Sequence, residues 1–243
     1  MKEFREPQYS ILGKTEAQHG RIQLGVMRNH DWVDDPKRLV FNLSRYKFVA
    51  KMFDQFDKVL EIGCADGFAS RLVAKQVSSL TAVDFDENFI VEARRGSLQD
   101  VKTDWRIHDI VQTPIPESFD GLYALDVLEH IDKHDEARFL ANCVASLSPT
   151  GVAILGMPSI ESQTYASPQS RAGHVNCKSG DDLRTLMRTY FHRVFLFSMN
   201  DEIVHTGFSK MAHYLLVLCA QPRSNQSPLS TVEGVEVVVH RDS

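Results

Sequence analysis

Apolar positions fall into two rhythms along the chain. Short, nearly continuous apolar runs read as buried strands at 58–62, 80–84, 104–108, 119–125 and 151–157. Stretches with apolar positions at helical spacing lie between them, at 67–77, 87–96 and 133–147. Strands and helices in alternation predict a parallel sheet with right-handed crossovers. Upstream, "PKRLVFNLSRYKFVAKMFDQF" sets Leu39, Phe41, Leu43, Tyr46, Val49, Ala50, Met52 and Phe53 near one helical face, with Asp35 as cap and Pro36 in the first turn. Downstream of strand 151–157 comes a polar loop, 160–178, and then "SGDDLRTLMRTYF", a helix that Ser179 caps. Two further strands, "RVFLFSMN" and "MAHYLLVLCA", are expected to pair antiparallel at the sheet edge. Residues 1–35 carry too little periodicity for a core of their own and read as irregular. The tail, 223–243, opens as a Ser/Pro/Asn linker and ends in "VEVVVH", either an added strand or a loose end.

Composition narrows the partners. The 243 residues are 43% hydrophobic and 24% charged, as in an ordinary globular chain, with a formal net charge of −5. That balance disfavours duplex nucleic acid and anionic membranes, which call for basic surfaces. No run approaches the ~18 apolar residues of a membrane span, and "MKEFREPQYS" lacks a signal-peptide core. Cys64, Cys143, Cys177 and Cys219 are widely spaced without a CxxC, which predicts neither zinc nor a disulfide framework and fits a reduced, cytoplasmic chain.

The chemistry begins at "KVLEIGCADGFASRLVAKQ", where a buried strand enters a glycine turn that runs into a helix. Gly63 and Gly67 permit a sharp turn and close backbone approach, and the helix start adds free N–H groups and a positive dipole end. A dinucleotide loop needs G-x-G-x-x-G; here Gly63 is followed by Ala65 and Phe68, and the pattern fails. The pattern that stands is acid-x-G-x-A-x-G, carried by Glu61, Gly63, Ala65 and Gly67. A tight structural turn would use the same glycines. With its acidic residue two before the loop, the motif resembles the first motif of class I methyltransferases that use S-adenosylmethionine, with alanine at the middle glycine. Such a cofactor presents an ammonium that Glu61 can answer.

Three later strand ends strengthen the resemblance. Asp84 follows Gly63 by 21 residues, the spacing of an acid that meets ribose hydroxyls, and Phe85 beside it offers a face to adenine. Asp86 reads as the cap of the next helix. The resemblance implies an adenine contact at Asp109 and Ile110. "FDGLYALDVLEHI" is similar to the fourth motif of small-molecule methyltransferases, which places Leu125 and Asp126 at the cofactor's methionine end and His130 at the active site. "SRYKF" is similar to the helix before the first strand, where Arg45 would pair with the cofactor carboxylate.

The resemblance implies a Rossmann-like, doubly wound α/β fold: seven strands, mostly parallel, with an antiparallel edge hairpin and helices on both faces. Residues 36–222 would form that S-adenosylmethionine-binding domain, with 1–35 as a lid bearing Tyr9, His19, Arg28 and Trp32. Ligands in such sheets sit beyond the carboxyl ends of the strands, so loop 160–178 faces the acceptor. His174 and His130 are the candidate bases, and Tyr165, Arg171, Asn176 and His205 the candidate acceptor contacts. His213, among apolar strand residues, reads as packed. No metal site is expected; "HIDKHDE" reads as a polar helix start. The implied function is methyl transfer from S-adenosylmethionine, leaving S-adenosylhomocysteine, to a small polar metabolite such as a sugar or nucleotide-linked sugar. The alternatives are amine methylation and a non-catalytic cofactor-binding scaffold. The expected partner is a small molecule, with no nucleic acid or membrane, on a monomer or homodimer.

Overall fold

The structure, a computed structural model, describes residues 4–96 and 103–223; most of the 223–243 tail, with "VEVVVH", lies outside the described residues. In chain order the elements are α1 (Ser10–His19), α2 (Val26–Asp34), α3 (Pro36–Met52), β1 (Lys58–Ile62), α4 (Arg71–Ala74), β2 (Ser79–Asp84), α5 (Glu87–Gly96), β3 (Thr103–Ile107) and β4 (Phe119–Leu125). They continue with α6 (Glu136–Ala145), β5 (Leu147–Pro158), α7 (Pro168–Gly173), α8 (Gly180–Tyr190), β6 (Phe191–Asn200), β7 (Ile203–His205) and β8 (Tyr214–Pro222).

The strands form one eight-stranded sheet in the order β3-β2-β1-β4-β5-β8-β6-β7. The first five are parallel, and β8, β6 and β7 join antiparallel. The expected edge pair is therefore present, and the eighth strand corrects the expected seven. Asp201 takes a left-handed φ of +52° and folds Ile203–His205 back onto β6. Three residues are too short to show an alternation.

Both faces of the sheet are covered. Side chains alternate along β1, so Leu60 and Ile62 join a core with Phe139, Leu140 and Leu183 of α6 and α8. Val59 points the other way, to a second core with Tyr46, Val49 and Phe53 of the α3 segment and with Tyr123. Glu61 falls on that second face by the same alternation and is fully buried there.

Four local expectations are corrected. The described part of the segment expected to be irregular, 4–35, is not irregular: α1 and α2 form. The start of α2 is capped from a distance, since the Asp66 carboxylate accepts the Met27 and Arg28 N–H groups at 2.9 and 3.0 Å. The helix expected over 67–77 is one turn, Arg71–Ala74, flanked by tighter i+3 bonds such as Leu72 N–H to Ala69. The helix expected from 133 begins at Glu136, after a turn closed on the Asp132 carbonyl. The 160–178 loop contains a 3-10 turn, Glu161–Tyr165, and α7, which Ser167 caps. Asp35 and Ser179 cap α3 and α8 as expected. All four cysteines carry free thiols. Among the described residues no helix is long and apolar enough to cross a membrane.

Candidate active site

The strand order reverses between β1 and β4, and a crevice opens there beyond the strands' carboxyl ends. It is a cavity of about 840 Å³, which is within the range of a cofactor site. Its floor comes from the turns after β1, β2 and β4, one wall from α2 and α3, and another from α7 and His174.

The backbone of the first turn is shaped for close approach. Gly63 has φ +74°, and a Cβ there would fall 2.4 Å from the Val127 side chain. Ala65 also takes a left-handed φ of +47°, held by its N–H, which donates to Asp84 Oδ2 at 3.0 Å. Asp84 Oδ1 accepts the Asp86 N–H at 3.0 Å, so both carboxylate oxygens lock the turns around the cavity. Burial raises the Asp84 pKa against those two bonds. Phe85 beside it is 76% exposed, an unusual position for an aromatic ring unless a ligand covers it. Asp109, which accepts the Val111 N–H at 2.9 Å, and buried Ile110 complete the far end.

At the other end, Asp126 leaves β4 in a left-handed conformation, φ +58°. Its two carboxylate oxygens accept from the same Arg45 nitrogen, Nη1, at 2.9 and 2.7 Å, and the guanidinium lies 3.8 Å over the Tyr214 ring. Burial opposes the charge on Arg45, but Asp126, Tyr214 and Glu129 together outweigh it and its pKa is raised. Next come Leu128–His130, a single 3-10 turn. His130 Nδ1 donates to the Gly173 carbonyl at 2.9 Å, and His174 Nδ1 donates to Gln163 Oε1 at 2.9 Å. Both acceptors are carbonyl oxygens, so each Nδ1 carries a proton, and in the neutral ring the lone pair falls on Nε2. The two rings meet edge to face, with centroids 5.1 Å apart. Burial first, and the neighbouring His130 second, lower the pKa of His174.

Of the residues the sequence singled out, Arg45, Gly63, Ala65, Asp84, Phe85, Asp109, Ile110, Leu125, Asp126, His130 and His174 line this one cavity. Others do not. Glu61 faces the second core, where it accepts from the Tyr46 hydroxyl at 2.8 Å. Burial raises its pKa and the hydroxyls of Ser70, Tyr46 and Tyr123 lower it again, leaving it at about 7. Gly67 stands against Trp105 rather than the cavity; a Cβ there would lie 2.4 Å from the indole. Tyr165 and Arg171 point to solvent on the strap expected to hold the acceptor. Asn176 is buried and donates to Glu136 Oε2 at 2.8 Å. His205 pairs with Asn200 at 2.9 Å at the far sheet edge. Of the expected lid residues, Arg28 lines the cavity and bonds Asp31 at 2.9 Å, while Tyr9 and Trp32 are exposed. His213 packs against Phe41. The one-turn α4 also leaves no long helix dipole behind the glycine turn.

Two groups were missed. Asp66, inside the glycine turn, holds α2 over the cavity. Glu129, within "VLEH", is fully buried yet lines the cavity. One donor atom each from Glu129, His130 and His174 lie within 4.8 Å of one another. The signal was the Glu-His pair of "VLEH", whose partner lies 44 positions on.

The cavity fits S-adenosylmethionine. Asn42 Oδ1 and Arg45 Nε, one turn apart on α3, are buried at its wall without hydrogen-bond partners. They are an acceptor and a donor for an ammonium and a carboxylate. Asp84 and Phe85 stand where a ribose and a base would lie.

Comparison with known proteins agrees with this geometry. The family model described as "Methyltransferase domain" matches residues 59–151. A Ubiquinone biosynthesis O-methyltransferase from Coxiella burnetii is 30% identical over 115 residues, 46% of this chain and 48% of that protein. Thus the chain spans about half the length of the curated relatives it matches. Among solved structures, the N-methyltransferase NodS from Bradyrhizobium japonicum with S-adenosyl-l-homocysteine shares 22% identity. Its TM-score is 0.57, covering 79% of this chain and 91% of that one. An S-adenosylmethionine-dependent methyltransferase from Clostridium acetobutylicum shares 13% identity at a TM-score of 0.60, covering 80% and 96%. Sequence motifs, sheet order and these likenesses converge: residues 59–151 are a methyltransferase domain of the class I, S-adenosylmethionine-dependent family.

Proposed function

We propose that the protein transfers a methyl group from S-adenosylmethionine to a hydroxyl oxygen of a small molecule. The observation that carries this reading is the placement of two imidazoles, His130 and His174, each with Nδ1 held by a carbonyl oxygen, in the same cavity as the Asp84, Phe85 and Arg45 cluster. When bound, the cofactor supplies an electrophilic methyl group on its sulfonium. Asn42 and Arg45 would hold its amino-acid end, Asp84 the ribose, and Phe85, Asp109 and Ile110 the base. Asp126 fixes Arg45 through two close contacts to Nη1. His174 stands ready to take the acceptor's proton on Nε2, with His130 beside it. The Arg28, His30 and Asp31 side chains on the cavity wall support a covering role for the N-terminal residues, which exclude water and orient the reactants. Arg171 is exposed on α7 and does not line the cavity, so it gives no support to a phosphate-bearing acceptor such as a nucleotide-linked sugar.

The first test is thermal unfolding with S-adenosylmethionine, S-adenosylhomocysteine and NAD. At about 100 times Kd the sulfur ligands should add ~2.7 kcal/mol, a Tm rise of roughly 5–10 °C for a chain of this size. A rise with NAD alone would overturn the reading. His174→Ala should then lower methyl transfer to hydroxyl acceptors by about 10²–10⁴-fold with cofactor binding retained.

A further inference from the structure

We propose that Glu129, His130 and His174 form a binding site for a divalent transition cation of the zinc, manganese or iron kind, placed where the methyl acceptor's hydroxyl would sit. The inference rests on the methyl-transfer reading and specifies how the two imidazoles act in it.

Three observations carry it. The donor atoms converge to within 4.8 Å. Metal bonds of about 2.0–2.2 Å to nitrogen and oxygen would draw them somewhat closer, a closure that breaks no hydrogen bond of the Glu129 carboxyl. Next, both rings are held in the tautomer a metal requires. The Gly173 carbonyl and Gln163 Oε1 each accept a proton from an Nδ1, which fixes the ring and leaves Nε2 as donor. This outer-shell arrangement, with a carbonyl behind each ligating imidazole, accompanies metal-bound histidines. Such support arising twice, from two different segments of the 160–178 strap, is more than an edge-to-face ring pair needs.

The third observation is Glu129 itself. It is 0% exposed, and neither carboxylate oxygen has a hydrogen-bond partner. A buried carboxyl in that state costs free energy that a packed apolar side chain would not. Protein cations near it are committed elsewhere: Arg45 to Asp126 and Lys178 to Glu136, at 2.7 and 2.5 Å. Its backbone is pinned as well, since the Glu129 carbonyl accepts the Asn176 N–H at 3.0 Å. A buried carboxyl with no protein hydrogen-bond partner, beside two oriented imidazoles, offers a cation an anionic ligand. One carboxylate with two imidazoles favours a transition cation over magnesium or calcium, which prefer all-oxygen shells. Three protein ligands leave positions open for an acceptor oxygen. A hydroxyl bound there has its pKa lowered by the cation, and the proton passes to solvent. His130 and His174 are then ligands rather than the proton's destination.

The test uses the full chain, stripped with chelator and titrated with Mn²⁺ by electron paramagnetic resonance and with Zn²⁺ by calorimetry. S-adenosylhomocysteine thermal shifts run in parallel. The expected result is one cation per chain, with affinity reduced more than 100-fold in Glu129→Gln and 10–100-fold in Gln163→Leu, which removes the support behind His174 together with two long bonds to Ser159 and Ser162. Both variants should keep the S-adenosylhomocysteine shift, which shows them folded. No stoichiometric cation, or equal affinity in wild type and Glu129→Gln, would overturn the site. If S-adenosylhomocysteine still stabilised that protein, methyl transfer would stand, with His174 taking the proton directly. Absence of the S-adenosylhomocysteine shift in wild type would instead sink the functional reading, whatever the cation does.

Discussion

Replacing Glu61 with glutamine isolates one buried carboxyl in the core between α3 and the sheet. In the folded chain this group keeps its proton up to about pH 7, whereas its ordinary pKa is 4.5. The folded state therefore holds the proton more tightly than the unfolded state. The stability contributed by the neutral carboxyl is complete below pH 4.5 and drains away as pH rises towards 7, where the folded group ionises too. Those two values set the full loss at about 3 kcal/mol, of which about 2.5 kcal/mol falls between pH 5 and pH 8. Glutamine keeps the oxygen that accepts from Tyr46 and cannot ionise. Urea unfolding of both proteins at pH 5, 6, 7 and 8 should show the variant gaining on the wild type by about 2.5 kcal/mol across that range. Titration of every other group cancels in the difference. A gap independent of pH would refute the placement of Glu61 as a buried carboxyl that stays protonated.

Further outcomes follow from the cavity wall. Arg45→Ala leaves Asp126 partly buried and unpaired and should cost about 3 kcal/mol in urea unfolding; Arg45→Lys, which keeps charge but not the planar fork, should recover part of it. Gly63→Ala places a Cβ 2.4 Å from Val127 at φ +74° and should lose about 2 kcal/mol or more together with the S-adenosylhomocysteine shift. Removing residues 1–34 should weaken S-adenosylmethionine binding in calorimetry while the truncated chain still unfolds cooperatively; undiminished affinity would refute the covering role of α2.

Much of the fold was legible because buried parallel strands announce themselves as apolar runs and the glycine turns fall at their ends. β7 was not, being three residues long with its pairing set by the turn at Asp201. Nor was α2, because its cap, Asp66, lies about 40 residues away and no local spacing encodes it. The cofactor end of the cavity was readable from strand-end acids. Glu61 was misplaced because a strand alternates: with Leu60 and Ile62 on one core, Glu61 must enter the other. The acceptor end was harder. Position along loop 160–178 said nothing of which side chains turn inward: Tyr165, at the end of the 3-10 turn, and Arg171, on α7, stay exposed while Gln163 reaches His174.

The Asp66 carboxylate joins the cofactor turn to α2 through two amide protons. Those protons, on Met27 and Arg28, exchange with solvent only when the turn and the helix part. Gly25, whose added Cβ would strike Asp66 at 2.4 Å, keeps the contact close. Deuterium uptake at these two backbone positions therefore reports, averaged over the population, how often the turn and the helix separate, with no label attached and no acceptor identified. A cofactor that settles into the turn should slow both positions together.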